Sequence, residues 1–167
     1  MAFRGRGKYY RVVCGDATEP KESMIEICGK MGKADVIVPY HRIVEGKSLT
    51  RRFISRTYTV LVNTITGYSL KYYNGCPLYR RFHVMRWAPY NYGFSCQADL
   101  ITTLLDQRAT YLEVPVEASH QIKERAVSPL HFQNFVSAGH TLFEMLLRRI
   151  RRVLFESKRP KFPIPYE

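Results

Sequence analysis

The chain has 167 residues, of which 46% are hydrophobic and 13% aromatic; that is enough for one domain with a real core and excludes an intrinsically disordered chain. The formal charge is +12, from 26 Lys and Arg against 14 Asp and Glu, so an anionic partner is expected: nucleic acid, an anionic membrane surface or a phosphorylated substrate. No window approaches the roughly 20 apolar residues of a membrane span, and MAFRGRGKYY at the start has charge without the apolar stretch of a secretory signal.

The charge is concentrated at two poles. Arg4, Arg6, Lys8 and Arg11 form the first, and Arg148, Arg149, Arg151, Arg152, Lys158, Arg159 and Lys161 the second. Cys14, Cys28, Cys76 and Cys96 show no C-x-x-C pairing, and His41, His83, His120, His131 and His140 add no zinc-like spacing. The thiols read as reduced core residues of a cytosolic chain.

KYYRVV (8–13) reads as a buried strand. TEPKESMIEICGKMG follows as a helix, with Thr18 as cap, Pro20 in the first turn and Gly29 or Gly32 as stop. ADVIVPY (34–40) is the second strand, stopped by Pro39, and strand–helix–strand at this spacing predicts a parallel crossover in an α/β sheet. From Leu49 to Ile65 a helix carries Ile54, Tyr58, Leu61, Val62 and Ile65 on one stripe, with Arg51, Arg52 and Arg56 elsewhere and Gly67 as stop. This basic amphipathic helix suits packing on the sheet or lying at a lipid interface.

The aromatic segment 68–93 contains a short strand around Leu78 and Tyr79, and a helix runs from about Phe94 to Gln107. TYLEVPVEA (110–118) alternates as a strand, and SHQIKERAVS is a polar loop. A long helix spans about Pro129 to Phe155, with Phe132, Phe135, Val136, Leu142, Phe143, Leu146, Ile150 and Val153 as its core stripe. Residues 1–155 thus read as one domain and 156–167 as a basic, Pro-rich, extended tail.

Taken in order, GDATEP, ADVIVPYHR, RRFISRTYTVLVNTITG, YYNGCPLYRR, GFSCQADLITTLL, YLEVPV and the Ser128 loop resemble the C-terminal two-thirds of family 2 glycosyltransferases, in particular the dolichol-phosphate mannose synthase-like branch. The resemblance implies an α/β fold with a GT-A-like, Rossmann-like mixed sheet flanked by helices. The N-terminal nucleotide-binding strands of that family have no counterpart before KYYRVV, so an exposed sheet edge is expected, met by a homo-oligomer or by a partner supplying the missing half.

The implied activity is transfer of a sugar from a nucleotide-sugar to an acceptor, a polyprenyl phosphate or a glycan, assisted by Mg²⁺ or Mn²⁺. Asp16 falls on the last position of the family's D-x-D-type metal motif, and Cys14 stands at the first. Asp99 falls on the acidic position near sugar and acceptor. There it could deprotonate an acceptor hydroxyl, whereas a phosphate acceptor is already ionised and needs no base. Gln97 and Asn74 match the sugar and acceptor pocket.

Arg42, Lys123, Arg125 and Ser128 match phosphate contacts, with Val127 in place of the usual glycine. Each has a structural alternative: Asp16 and Ser128 as helix caps, Asp99 as an early-helix acid favoured by the dipole, the basic residues as a solvated surface. The alternative for the whole chain is a non-catalytic module that binds an anionic lipid surface or a partner chain. Nucleic acid is the weakest expectation, because no RNP-like, zinc-finger or helix-turn-helix pattern occurs. The expected location is cytoplasmic, peripheral at the inner face of the membrane.

Overall fold

A computed structural model of the chain describes residues 6–13, 19–41, 49–87, 95–117 and 132–155. Four strands form one mixed sheet in the order β1-β3-β2-β4: β1 Tyr9–Arg11, β2 Val36–His41, β3 Leu78–Arg80 and β4 Tyr111–Val116. β3 is antiparallel to both β1 and β2, and β4 is parallel to β2. The unit of β1, α1 (Lys21–Cys28) and β2 is therefore a split crossover: its strands run the same way, as expected, but β3 is inserted between them.

β2 does not stop at Pro39, as the sequence suggested. Pro39 pairs with Val114, and the strand continues to His41. β3 reaches only Val36 and Ile37, so no ladder bond is asked of Pro39 on that side; its carbonyl faces Gly75 instead. A Cβ added to Gly75 would lie 2.7 Å from the Pro39 oxygen, which explains a glycine there.

Alternation in the strands sorts the core onto two faces. Ile37, Leu78, Val114 and Val116 pack with Ile27 of α1 on one face. Val36, Val38 and Tyr79 point to the other, where they meet Tyr58 and Val62 of α2 (Leu49–Thr66), Ile101 and Leu104 of α4 (Cys96–Asp106) and Met145 of α5 (Phe132–Phe155). A short helix that the sequence did not announce, α3 (Arg81–Arg86), follows β3 directly. None of the helices among the described residues is long and apolar enough to cross a membrane.

The buried line of α2 is Tyr58, Val62 and Thr66, spaced four apart, while Leu61 of the expected stripe is exposed. Gly67 ends the helix at φ +77° and donates its N–H to the Asn63 carbonyl at 2.8 Å. A Cβ there would also press on the Arg149 guanidinium at 3.1 Å. Gly67→Ala is expected to lower stability by about 1 kcal/mol, seen as a lower urea midpoint at unchanged slope.

Two further expectations are corrected. Cys28 lies exposed on α1 and Cys76 and Cys96 are half-buried, so the described thiols, although free, are not core residues. Of the stripe assigned to the interior of α5, Leu142 packs on the core, but Phe135, Val136, Phe143, Leu146, Ile150 and Val153 are all exposed; the Phe132 side chain lies outside the described ones. The buried positions are Thr141 and Met145, with Ala138 and Leu142 packed beside them.

Candidate functional site at the carboxyl edge of the sheet

Because β1, β2 and β4 all point the same way, the chain leaves each of them at one edge of the sheet. In open α/β sheets that edge, beyond the carboxyl ends of the strands, is where ligands bind. The segments that leave it here carry Asp16 (after β1), Arg42 (after β2) and Lys123, Arg125 and Ser128 (after β4). Those residues lie outside the described ones, as does Thr18, so the structure supplies only the frame around them.

That frame is polar and partly unsatisfied. The Arg11 guanidinium at the end of β1 donates from Nε to the Cys76 carbonyl at 2.8 Å and pairs through Nη2 with Glu19. This pair ties together the residues on either side of the segment 14–18, which carries Asp16. The other guanidinium nitrogen, Arg11 Nη1, and the other carboxylate oxygen, Glu19 Oε2, are both buried without a hydrogen-bond partner among the described residues. Buried polar atoms of this kind are uncommon and call for a ligand or a water.

Asn74 joins the same edge. Asn63 of α2 accepts hydrogen bonds from the Tyr73 hydroxyl at 2.7 Å and the Leu70 N–H at 3.2 Å, and donates to the Leu70 carbonyl at 2.9 Å. These bonds fix the loop so that Tyr72 meets the His41 ring edge-on and Gly75 abuts Pro39. Asn74 Oδ1 is buried there with no partner among the described residues. Lys71 lies nearby, its ammonium 4.2 Å from the Tyr40 ring centroid and 3.1 Å from the Tyr40 hydroxyl.

Gln97 and Asp99 sit in the first turn of α4, and both are engaged. Gln97 Oε1 accepts the Tyr79 hydroxyl at 2.7 Å, and burial pushes that phenol well above its ordinary pKa, so it stays a donor. Asp99 is buried. Its Oδ2 accepts the Trp87 indole N–H at 3.2 Å and its Oδ1 faces Arg148 Nη1 at 3.0 Å. Arg148 also reaches Thr102 and Thr103 and places its Nε 2.9 Å from Asp106, which Arg152 and the Tyr68 hydroxyl hold as well.

Asp99 therefore belongs to an ion-pair cluster that fastens α5 to α4. Arg148 and Arg152, counted in the C-terminal basic pole, are spent inside the protein, and Arg149 donates to the Thr66 carbonyl at 3.2 Å. Among the described residues no three His, Cys, Asp or Glu side chains gather as a metal site.

Glu19 was not singled out from the sequence, and Arg11 only as a member of the N-terminal basic pole. The signal for the pair was position, on either side of Asp16. No protein-family model matches the chain, and no curated protein matches it at a significant level.

Proposed function

We propose that the chain is a glycosyltransferase domain of the GT-A, family 2 type. In this reading it transfers a sugar from a nucleotide-sugar to a polyprenyl-phosphate acceptor at the carboxyl edge of the sheet. The observation that carries the reading is the common direction of β1, β2 and β4, which start the Asp16, Arg42 and Lys123–Ser128 segments from one edge. The Arg11, Glu19 and Asn74 atoms at that edge, buried without a hydrogen-bond partner among the described residues, support it.

The residues fit a hard divalent cation. Asp16 offers one carboxylate, and Glu19, three residues on, offers a buried oxygen without a hydrogen-bond partner among the described residues; together they would replace the pair that Cys14 leaves incomplete. Mg²⁺ or Mn²⁺ held by Asp16 and Glu19 would neutralise charge on the departing diphosphate. Arg11 holds Glu19 in place and keeps an N–H for a donor phosphate oxygen. Arg42, Lys123, Arg125 and Ser128 bind phosphate oxygens of donor or acceptor, and Asn74 and the Gln97 amide nitrogen bind sugar hydroxyls.

Asp99 decides the acceptor class. With one oxygen on the Trp87 indole N–H and the other on Arg148, it serves in this reading to position Trp87 and α5 rather than as the base. An acceptor that is already ionised, such as a lipid phosphate, needs no base, whereas a sugar hydroxyl does.

The test is calorimetric titration of GDP- and UDP-sugars with and without Mn²⁺. Wild type is expected to bind in a Mn²⁺-dependent manner, and Asp16→Ala and Glu19→Gln each to weaken that binding by about tenfold or more. A folded chain that binds no nucleotide-sugar with Mn²⁺ would sink the enzyme reading in favour of a non-catalytic binding module.

A further inference from the structure

α5 is an amphipathic helix docked the wrong way round for a purely internal role. Its inward side carries Ala138, Thr141, Leu142, Met145, Arg148 and Arg152, and the arginines find acids on α4. Its outward side is apolar along the whole length: Phe135, Phe143, Leu146, Ile150, Val153 and Leu154 recur at helical spacing and are 41% to 71% exposed. A helix of 24 residues is about 36 Å long, so this face is a stripe rather than a scattering of single exposed side chains.

The charges around the stripe identify its occupant. Exposed Arg151 flanks it on α5, and the sequence continues past Phe155 with Lys158, Arg159 and Lys161. Glu144 is the single acid on α5, and it lies 4.0 Å from His140. A second copy laid on this face by two-fold symmetry would bring like charges together. Anionic headgroups would satisfy the arginines, while the acyl region takes up the apolar side chains.

We infer that α5 is the membrane-docking element of this protein, lying in the plane of an anionic bilayer with Phe143, Leu146 and Ile150 inserted at the acyl boundary. This deepens the reading of a lipid-phosphate acceptor by naming the face turned toward the lipid. It needs neither metal nor donor, so its failure is separable from that of the transferase reading.

The full chain is mixed, without nucleotide or Mn²⁺, with phosphatidylcholine vesicles and with vesicles of about one third phosphatidylglycerol, and the bound fraction is measured by flotation. Wild type is expected to bind the anionic vesicles and to bind phosphatidylcholine weakly. The Phe143→Ser/Leu146→Ser pair should weaken partitioning by at least about tenfold, with unchanged far-UV circular dichroism, since both side chains are already exposed. Arg151→Glu should weaken only the anionic component, and more so at low salt. Phe143→Trp supplies an independent readout, quenching by brominated acyl chains.

Absence of wild-type binding to anionic vesicles overturns the inference. So does binding by the double variant equal to that of wild type. Loss in that variant of a dimer seen by sedimentation, without vesicle binding by wild type, would assign the face to a second copy instead.

Discussion

Replacing Arg148 with methionine is expected to lower the free energy of unfolding by about 3 kcal/mol in urea denaturation. The loss comes from what is left behind. Asp99, with 7% of its side chain exposed, would keep only the Trp87 N–H against its charge among the described residues, and Thr102 and Thr103 would lose a donor. Asp106 would retain Arg152 and Tyr68, so the damage centres on Asp99.

A buried pair costs far more to break than to replace as a whole. The double variant Asp99→Leu/Arg148→Met should therefore recover most of the lost stability. The same double variant probes the chemistry. If Asp99 only positions its neighbours, transfer to a lipid phosphate should survive in it; complete loss of transfer with unchanged nucleotide-sugar binding would show that Asp99 acts in the reaction.

The second large effect is expected at Asp35, just before β2. Its Oδ2 accepts from the Thr110 N–H at 2.9 Å and the Thr110 hydroxyl at 2.7 Å. Arg80 Nε and His83 Nε2 lie 3.1 and 3.5 Å from Oδ1, without the alignment of hydrogen-bond donors. Asp35 thereby locks the starts of β2 and β4 to the end of β3. Asp35→Ala should cost about 3 kcal/mol at neutral pH.

The pH dependence follows from the direction of its pKa. Burial pushes the carboxyl up, but the Thr110 hydrogen bonds and then the charges of His83 and Arg80 outweigh it and hold the group below its ordinary value. The folded state thus binds the proton less readily than the unfolded state. The stabilisation is fully present above the unfolded value of about 3.9 and is lost as pH falls through the lowered folded value. The gap between wild type and Asp35→Ala should therefore shrink below about pH 4. A gap that stays constant down to pH 2 would show that the charge on Asp35 contributes nothing.

The local elements were legible because their patterns are local. Strands at Tyr9–Arg11, Val36–His41, Leu78–Arg80 and Tyr111–Val116 fall within or one residue beyond the runs read from branched and aromatic residues, and Gly67 stops α2 where its type suggests. The α/β class followed from their order. α3 was not legible, because six residues rich in arginine and aromatic side chains carry too little periodicity to announce a helix. Pro39 misled because whether a proline breaks a strand depends on whether a neighbour needs its N–H, and β3 ends before reaching it.

The candidate site divides in the same way. The sequence alone marks the GDATEP turn, the YHR segment and the KERAVS loop as polar punctuation after strands. That their three strands share a direction, and so one edge, is a property of the sheet.

α5 shows the limit most plainly. Its sequence determines that the helix is amphipathic, with apolar side chains on one side and arginines on the other. Only the tertiary structure decides which side faces in, because a hydrophobic stripe has an axis but no knowledge of what lies across from it. Two acids on α4, Asp99 and Asp106, stand 49 and 46 residues away from their arginine partners on α5, and it is their charge that turns Arg148 and Arg152 inward and the apolar stripe outward.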